Sequence, residues 1–227
     1  PAQAINAGDG MHALARLALF RLFQKGVSSA VTLRAVQLLD EACLRTCEGR
    51  FMDMEAQEQI DLSVKAYLEM AAGKAGALLA CAMKLGALVA SADDETVAAM
   101  GTSGSRLGLA MQVQADLTEM WGQPSEGEPA APSTHVMNKR KLLPVVYALE
   151  RAPVREKRRL EEICFKRVLE AEDLVRLREV VEELGARAHC ETLVQRYHSE
   201  AIAALDAPGI PAAGRAEIER FMTSILG

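Results

Sequence analysis

The sequence predicts an all-α protein, a single bundle of long helices over residues 1–227, and two observations support this. Hydrophobic residues make up 50% of the chain but aromatic residues only 4%, so alanine, leucine and methionine supply much of the apolar content. These residues suit helix interiors better than sheets, which favour β-branched and aromatic side chains. Apolar residues also recur at spacings of three and four, and neither an alternating strand pattern nor an internal repeat stands out.

The first half of the chain is predicted to form four long helices. The earliest carries one apolar stripe from Ile5 to Phe23. Ser28 or Ser29 can cap the second helix, and Asp93 or Asp94 the fourth. We expect these helices over residues 5–23, 28–57, 63–89 and 93–120.

The second half begins with a long irregular stretch from Trp121 to Thr134, which is typical of a functional or mobile loop. Pro144 is expected to open a helix through Glu150. Dense charges over residues 151–200 predict helices whose outer faces are solvated. A turn rich in proline and glycine at residues 208–211 then precedes a short terminal helix.

Charge and hydropathy exclude two classes of partner. The chain carries a net charge of −5 with both signs interspersed, so we expect no nucleic-acid binding. No apolar run reaches the ~18 residues of a membrane span, and Lys84 interrupts the longest one, so we expect no stable membrane insertion. The opening residues lack a signal-peptide pattern, and we expect a cytoplasmic protein.

The five cysteines are an odd number, spread widely along the chain, and we expect them to be buried free thiols. Cys43 and Cys47 would share a helix face, but a zinc site needs two more ligands at matching spacing, and none is nearby. His189 and Cys190 also lack a third partner.

The most informative helix runs from Leu107 to Met120. Gln112, Asp116 and Glu119 lie at i, i+4 and i+7, on one face with largely apolar surroundings. Two carboxylates and an amide there could hold a magnesium ion, which takes oxygen ligands and often bridges carboxylates to phosphates. An ordinary amphipathic helix whose acids face water has the same spacing, so both interpretations stay open.

Two sets of cations could serve the same chemistry. Lys74 lies within an apolar helix, where it can pair with a carboxylate or reach a bound anion. Lys139, Arg140 and Lys141 stand just before the helix that Pro144 opens. Three cations there suit a polyanion such as diphosphate, although a surface basic run would have the same pattern.

Five sequence blocks follow one another in a definite order. They are AINAGD (4–9), CEGRFMDME (47–55), YLEMAAGKAGALL (67–79), LGLAMQVQADLTEMWG (107–122) and KRKLLPVVYALE (139–150). In this order they resemble the trans-isoprenyl diphosphate synthases, or polyprenyl synthetases, and the bacterial geranylgeranyl- and farnesyl-type enzymes in particular.

This resemblance implies an isoprenoid-synthase helical bundle, usually a homodimer, with an apolar product tunnel. In the family, an allylic diphosphate binds through magnesium ions held by two aspartate-rich motifs on facing helices. Isopentenyl diphosphate then attacks the allylic cation, and the chain grows by five carbons. The implied partners are therefore small isoprenyl diphosphates.

The resemblance also assigns roles to the cations and the amide. Lys74 matches the lysine that contacts the allylic diphosphate, and Gln112 matches the glutamine beside the second aspartate-rich motif. These two are the expected catalytic residues. Arg140 and Lys141 match the basic pair that approaches the diphosphate, so Lys74, Arg140 and Lys141 are the expected diphosphate ligands.

The second aspartate-rich motif is altered in this chain. Asp116 and Glu119 match its second and last acids and are the expected ligands of Mg²⁺, which would bind together with the substrate diphosphate. Ala115 stands where the first aspartate is expected, and Glu119 is one methylene longer than aspartate. Magnesium demands near-ideal octahedral geometry, so both changes should weaken the metal site.

Further departures affect the rest of the predicted site. The chain begins just after the expected first aspartate-rich motif, so we expect the N-terminal third to be missing. Ala75 replaces the usual threonine, Arg50 the usual glutamine, and a loop lysine is lost near Glu128. We therefore expect this polypeptide alone to be inactive or nearly so.

Three functions remain open at this point. The first is a prenyltransferase that condenses an allylic diphosphate with isopentenyl diphosphate. The second is a non-catalytic or regulatory subunit of the same fold, which the losses at Ala75, Ala115 and Glu128 favour. The third is a terpene cyclase, which ionises a diphosphate but adds no isopentenyl unit.

Overall fold

The computed structural model describes residues 2–57, 59, 61–122, 140–164, 166, 169–207 and 209–226, and every regular element within these ranges is helical. The predicted all-α class is therefore confirmed. The α-helices are α1 (Ala2–Gln24), α2 (Ser29–Ala56), α3 (Val64–Ala71), α4 (Ala77–Val89), α5 (Asp94–Trp121), α6 (Leu143–Arg151), α7 (Val154–Cys164), α8 (Ala171–Glu183), α9 (Ala186–Ala203) and α10 (Ala212–Leu226). A π-helical turn, Ala72–Gly76, joins α3 to α4, and a 3₁₀ turn, Ala204–Asp206, follows α9.

Side-chain caps fix the starts of two predicted helices. The Oγ of Ser28 accepts a hydrogen bond from the backbone N–H of Val31 at 3.3 Å and opens α2. Asp93 accepts from the N–H of Thr96 at 2.7 Å and opens α5, and this bond lowers the pKa of Asp93. Each cap satisfies a helix amide that has no intrahelical partner.

Helix α5 is the centre of the bundle, with α4 and the π turn along one side and α9 along another. Glycine permits the closest approach between these helices. A Cβ atom added to Gly108 would lie 2.6 Å from the Cα of Gly76, and one added to Gly104 would lie 2.6 Å from the carbonyl oxygen of Leu79. Side chains at these two positions would push α4 and α5 apart.

Two hydrophobic clusters hold the elements that carry the predicted site. One lies between α3, α5, α6 and α9 and includes Tyr67, Val113 and Tyr197. The other joins α6, α7 and α8 below the end of α5. The segment Val64–Val89 is long and apolar enough to cross a membrane by length and composition alone, but it packs here against α2 and α5.

Helix α1 lies at the edge of the bundle and packs against α2. None of its residues is buried. Leu19 and Leu22 pack against a buried cluster that includes Ala35 of α2. The other large apolar side chains of α1 are exposed, and they are Ile5, Met11, Leu14, Leu17, Phe20 and Phe23.

None of the five cysteines forms a disulfide, as predicted, but their burial differs. Cys81 and Cys190 are buried, and burial raises the pKa of Cys190 to about 12. The expectation of burial is wrong for Cys47, which is exposed on the outer face of α2. Most of the predicted loop, residues 123–134, falls outside the described residues.

Candidate functional site

Lys74 lies in the π turn between α3 and α4, where α2 packs against it. Its Nζ is 2.8 Å from Oδ2 of Asp53, and the lysine side chain is only 4% exposed. Burial lowers the pKa of Lys74, while the hydrogen bond and the charge of Asp53 oppose that shift. The predicted carboxylate partner of Lys74 is thus Asp53, on α2.

Sequence reasoning did not single out Asp53. A signal was present, because Gly49 and Asp53 are four residues apart on α2 and so share a face. A Cβ atom on Gly49 would lie 2.8 Å from the carbonyl carbon of Gly73, so glycine lets α2 contact the backbone beside Lys74. Oδ1 of Asp53 is buried and accepts no hydrogen bond from the described residues.

Asp116 is 2% exposed and lies at the junction of α3, α5 and α6. Its Oδ2 accepts a short hydrogen bond from the hydroxyl of Tyr67 and another, of 2.8 Å, from the backbone N–H of Leu143. Its Oδ1 accepts from Nε2 of Gln112 at 2.9 Å. Both oxygens of the carboxylate are therefore occupied by protein donors.

Arg140 connects these two centres electrostatically. Burial and the neighbouring Asp116 raise the pKa of Tyr67, and the positive charge of Arg140 opposes that rise. Burial lowers the pKa of Lys74, and the charge of Arg140 adds to that shift. The pKa of Asp116 is raised by burial, and the hydrogen bonds from Leu143, Tyr67 and Gln112 and the charge of Arg140 oppose this rise. Four of the six predicted residues, Lys74, Gln112, Asp116 and Arg140, thus belong to one neighbourhood.

The other two predicted residues lie beside this neighbourhood. Lys141 is half-buried and adjoins Arg140 in the chain. Glu119 is half-buried and lines an open cavity of about 440 Å³ between α5 and the end of α10. Ala115, Thr118, Met111, Gln114, Ile225 and Leu226 complete its wall. Glu119 therefore faces a largely uncharged cavity, whereas Asp116 points into the core.

The predicted magnesium ligands Asp116 and Glu119 face different surroundings. No group of three or more His, Cys, Asp or Glu side chains in the described part of the chain is arranged to hold a metal ion. Asp116 is occupied by three donors, and Ala115 offers no ligand. Only Glu119 of the motif presents a carboxylate to the cavity, and Mg²⁺ requires six ligands in near-ideal geometry.

Two of the remaining substituted positions, Arg50 and Ala75, lie among the described residues. Arg50 is exposed on α2, close enough for its charge to lower the pKa of Lys74. Ala75 is half-buried beside Lys74. Glu128 and Lys139, which were singled out in the sequence, lie outside the described residues.

A second cavity, of about 510 Å³, opens between α3, α5, α6 and α9. Tyr147 stacks on His189 at 4.1 Å on its wall, and Arg106 and Arg151 lie over tyrosine rings. None of the six predicted residues lines it. Lys74, Arg140 and Asp116 therefore lie outside this cavity.

Comparison with known proteins gives this arrangement a family. A family model described as polyprenyl synthetase matches residues 1–184. The chain belongs to the polyprenyl synthetase family. The resemblance of the five ordered blocks is confirmed.

Two solved polyprenyl synthetases share the fold. A polyprenyl synthetase from Streptomyces coelicolor A3(2) superposes with a TM-score of 0.87 at 31% identity, over 100% of this chain and 67% of that one. A polyprenyl synthase from Caulobacter crescentus CB15, complexed with calcium and isoprenyl diphosphate, gives a TM-score of 0.75 at 27% identity, over 85% of this chain and 58% of that one.

A characterised family member is similar in sequence. The geranylgeranyl diphosphate synthase of Mycobacterium tuberculosis is 42% identical over 147 residues, which are 64% of this chain and 40% of that protein. This chain therefore matches less than half the length of that polyprenyl synthetase.

Proposed function

We propose that this chain belongs to a prenyltransferase that condenses an allylic diphosphate with isopentenyl diphosphate to give a longer isoprenyl diphosphate. The observation that carries the proposal is the convergence of Lys74 and Arg140 on the buried carboxylates of Asp53 and Asp116. The synthase activity of the Mycobacterium relative and the isoprenyl diphosphate in the Caulobacter structure support it.

The proposed reaction asks the protein to stabilise a departing diphosphate. The bond between the allylic carbon and the diphosphate oxygen breaks, and the diphosphate leaves with the electron pair. The double bond of isopentenyl diphosphate attacks the allylic carbon, and the adduct loses a proton to give the new double bond. Lys74, Arg140 and Lys141 would stabilise the charge that develops on the diphosphate, and this effect is strong where water is excluded.

We expect Mg²⁺ to enter with the diphosphate, because this ion prefers oxygen ligands and is usually bound through substrate phosphates. Its contribution would be to neutralise diphosphate charge. The protein's own contribution rests on the three cations and on Asp53, which holds Lys74.

A second candidate function is a diphosphate-binding subunit without catalysis. Ala115 favours it, because an exposed methyl group stands where the motif calls for an acid. The bonding of Asp116 favours it as well, because protein donors already occupy both oxygens of this carboxylate.

The test measures binding and turnover in the full-length natural protein. Calorimetry with farnesyl diphosphate is run with and without Mg²⁺, followed by incorporation of labelled isopentenyl diphosphate. We expect Mg²⁺-dependent binding and a lengthened product, with Lys74→Ala slowing turnover by about 100-fold. Lys65→Ala is the matched control, since Lys65 lies on α3 with its side chain 87% exposed.

Other outcomes decide between the candidates. Binding without incorporation or release of diphosphate would favour the subunit. Release of diphosphate with a hydrocarbon product would favour a terpene cyclase. Absence of binding in both conditions would exclude the prenyltransferase.

We also propose a cytoplasmic homodimer, and the exposed apolar side chains of α1 support the assembly. Exposed apolar patches of this kind usually mark interaction sites. Light scattering should give twice the protomer mass, and Leu14→Glu, at a position 66% exposed, should give monomers. A monomeric wild type would refute the homodimer. Five cysteines without a disulfide suit a reducing compartment.

A further inference from the structure

Asp116 connects three helices through its hydrogen bonds. Tyr67 donates from α3, Gln112 from α5 itself, and Leu143 from the first residue of α6. A carboxylate has about four acceptor sites, and three are taken here. The carboxylate therefore fixes how α3 and α6 meet on α5.

The bond from Leu143 is the most informative of the three. Leu142, the N-cap of α6, provides no side-chain cap, and Pro144 has no N–H. The first amide of α6 would be buried without a partner if Asp116 did not accept it. A carboxylate at this end of a helix also interacts favourably with the helix dipole. Asp116 thus caps α6 from a neighbouring helix.

The basic pair is attached to this capped end. Arg140 and Lys141 precede Leu143 by three and two residues. Three residues of extended chain span at most ~11 Å, so fixing Leu143 confines both cations to a small volume. The charge of Arg140 acts on Tyr67, Lys74 and Asp116, so Arg140 lies within electrostatic range of Lys74, and Lys141 follows it in the chain.

We propose that Tyr67 and Asp116 are positioning residues, which hold the start of α6 so that Arg140 and Lys141 can bind a diphosphate beside Lys74. This inference rests on the proposed function, and it gives Asp116 a role other than that of a metal ligand. Tyr67 keeps the carboxylate turned towards Leu143. Without the tyrosine hydroxyl, Asp116 can turn towards Arg140 and withdraw that cation from the ligand.

The experiment measures the affinity of the full-length protein for inorganic pyrophosphate by calorimetry, in EDTA and without isoprenoid. Tyr67→Phe removes one donor and leaves the ring. Ser103→Ala is the matched control, because Ser103 is fully buried on the same helix as Asp116 and donates one bond, of 2.7 Å, to the carbonyl of Ala201. We expect the Kd to rise about tenfold in Tyr67→Phe and to stay within about twofold in Ser103→Ala.

A second readout reports on the cap itself. Hydrogen exchange of the Leu143 amide, followed by NMR, should be faster in Tyr67→Phe and in Asp116→Asn and unchanged in Ser103→Ala. Equal losses of pyrophosphate affinity in Tyr67→Phe and Ser103→Ala would overturn the positioning role, since both would then reflect stability alone. If Asp116→Asn does not fold, the comparison of Tyr67→Phe with Ser103→Ala decides by itself between positioning and stability.

Measurements of metal binding and of activity separate the remaining outcomes. Loss of Mn²⁺ binding in Asp116→Asn, with unchanged Leu143 exchange, would overturn the proposal in favour of a metal ligand. Weakened pyrophosphate binding in Tyr67→Phe, with a wild type that incorporates no isopentenyl unit, leaves positioning intact and removes the prenyltransferase function. A wild type that elongates normally and a Tyr67→Phe variant with wild-type pyrophosphate affinity would remove positioning alone.

Discussion

The two buried carboxylates of the site, Asp116 and Asp53, are paired in opposite ways. Asp116 accepts three hydrogen bonds and uses both oxygens. Asp53 binds Lys74 through one oxygen, and its other oxygen has no donor among the described residues. A carboxylate with donors on both oxygens, here called saturated, holds helices in place, whereas a singly paired carboxylate leaves its lysine able to change partner. Asp116 therefore stabilises the packing of the helices, and the Lys74–Asp53 pair is suited to binding an anion.

The largest effect should come from removing the saturated carboxylate. Asp116→Ala leaves the Tyr67 hydroxyl and the Leu143 amide buried without acceptors, and each such group costs about 1–3 kcal/mol. We expect the free energy of unfolding, from urea titration, to fall by about 3 kcal/mol. A loss below about 1 kcal/mol would mean that the three bonds contribute little, and the contrast with Asp53 would disappear.

A smaller effect should follow from separating the helices around the Lys74–Asp53 pair. Gly49→Ala forces a methyl group against the backbone of Gly73 and Lys74, and such overpacking costs about 1–3 kcal/mol. Gly86→Ala is the control, because a Cβ atom there meets nothing within 4 Å. That control should gain about 0.5–1 kcal/mol from helix propensity. Equal stability changes in the two variants would argue against close contact at Gly49.

The smallest effect should depend on pH and should sharpen the contrast. The folded protein lowers the pKa of Lys74 below its ordinary 10.5. Between that folded value and 10.5, the folded state binds fewer protons than the unfolded state, so this group makes stability rise with pH. Asp53→Asn removes an interaction that raises the pKa of Lys74, so the folded-state pKa falls further and this pH range extends to lower pH.

The destabilisation by Asp53→Asn should therefore be about 1 kcal/mol near neutral pH and should disappear as the pH rises through the folded-state pKa of Lys74, which lies below 10.5. Urea unfolding at several pH values measures it. Asp40→Asn is the control, since Asp40 lies partly exposed on α2, away from Lys74, and pairs with His12 and Arg16. A loss that is constant with pH would show that Asp53 does not act through the charge of Lys74.

Much of the fold was predictable because local signals agree with the tertiary structure. Ser28 and Asp93 cap their helices as the sequence predicts, and α1 and α5 end within a few residues of the expected bounds. The π turn was not predicted, because its apolar and glycine residues fit a continuous α-helix equally well. Its geometry depends on the packing of α2 against Gly73.

The site was predictable as a set of residues but not as a set of contacts. Spacing put Gln112, Asp116 and Glu119 on one helix face, yet the structure turns Asp116 into the core and Glu119 into a cavity. The partners Tyr67, Leu143 and Asp53 come from three other helices, and helical periodicity cannot report contacts across such distances in sequence. Whether Asp116 and Glu119 bind a metal stays a prediction.

The π turn at Ala72–Gly76 has a consequence for the alignment of the two helices it joins. A π turn closes its hydrogen bonds one residue later than an α-helix, so it inserts one position into an otherwise continuous rod. Deleting a single residue there would restore the α-helix and rotate α3 by about 100° relative to α4. Tyr67 would then lose Asp116 while Gly76 kept its contact with Gly108. The turn therefore sets the rotation of α3 relative to α4, and a one-residue deletion in it should destabilise the fold more than most substitutions nearby.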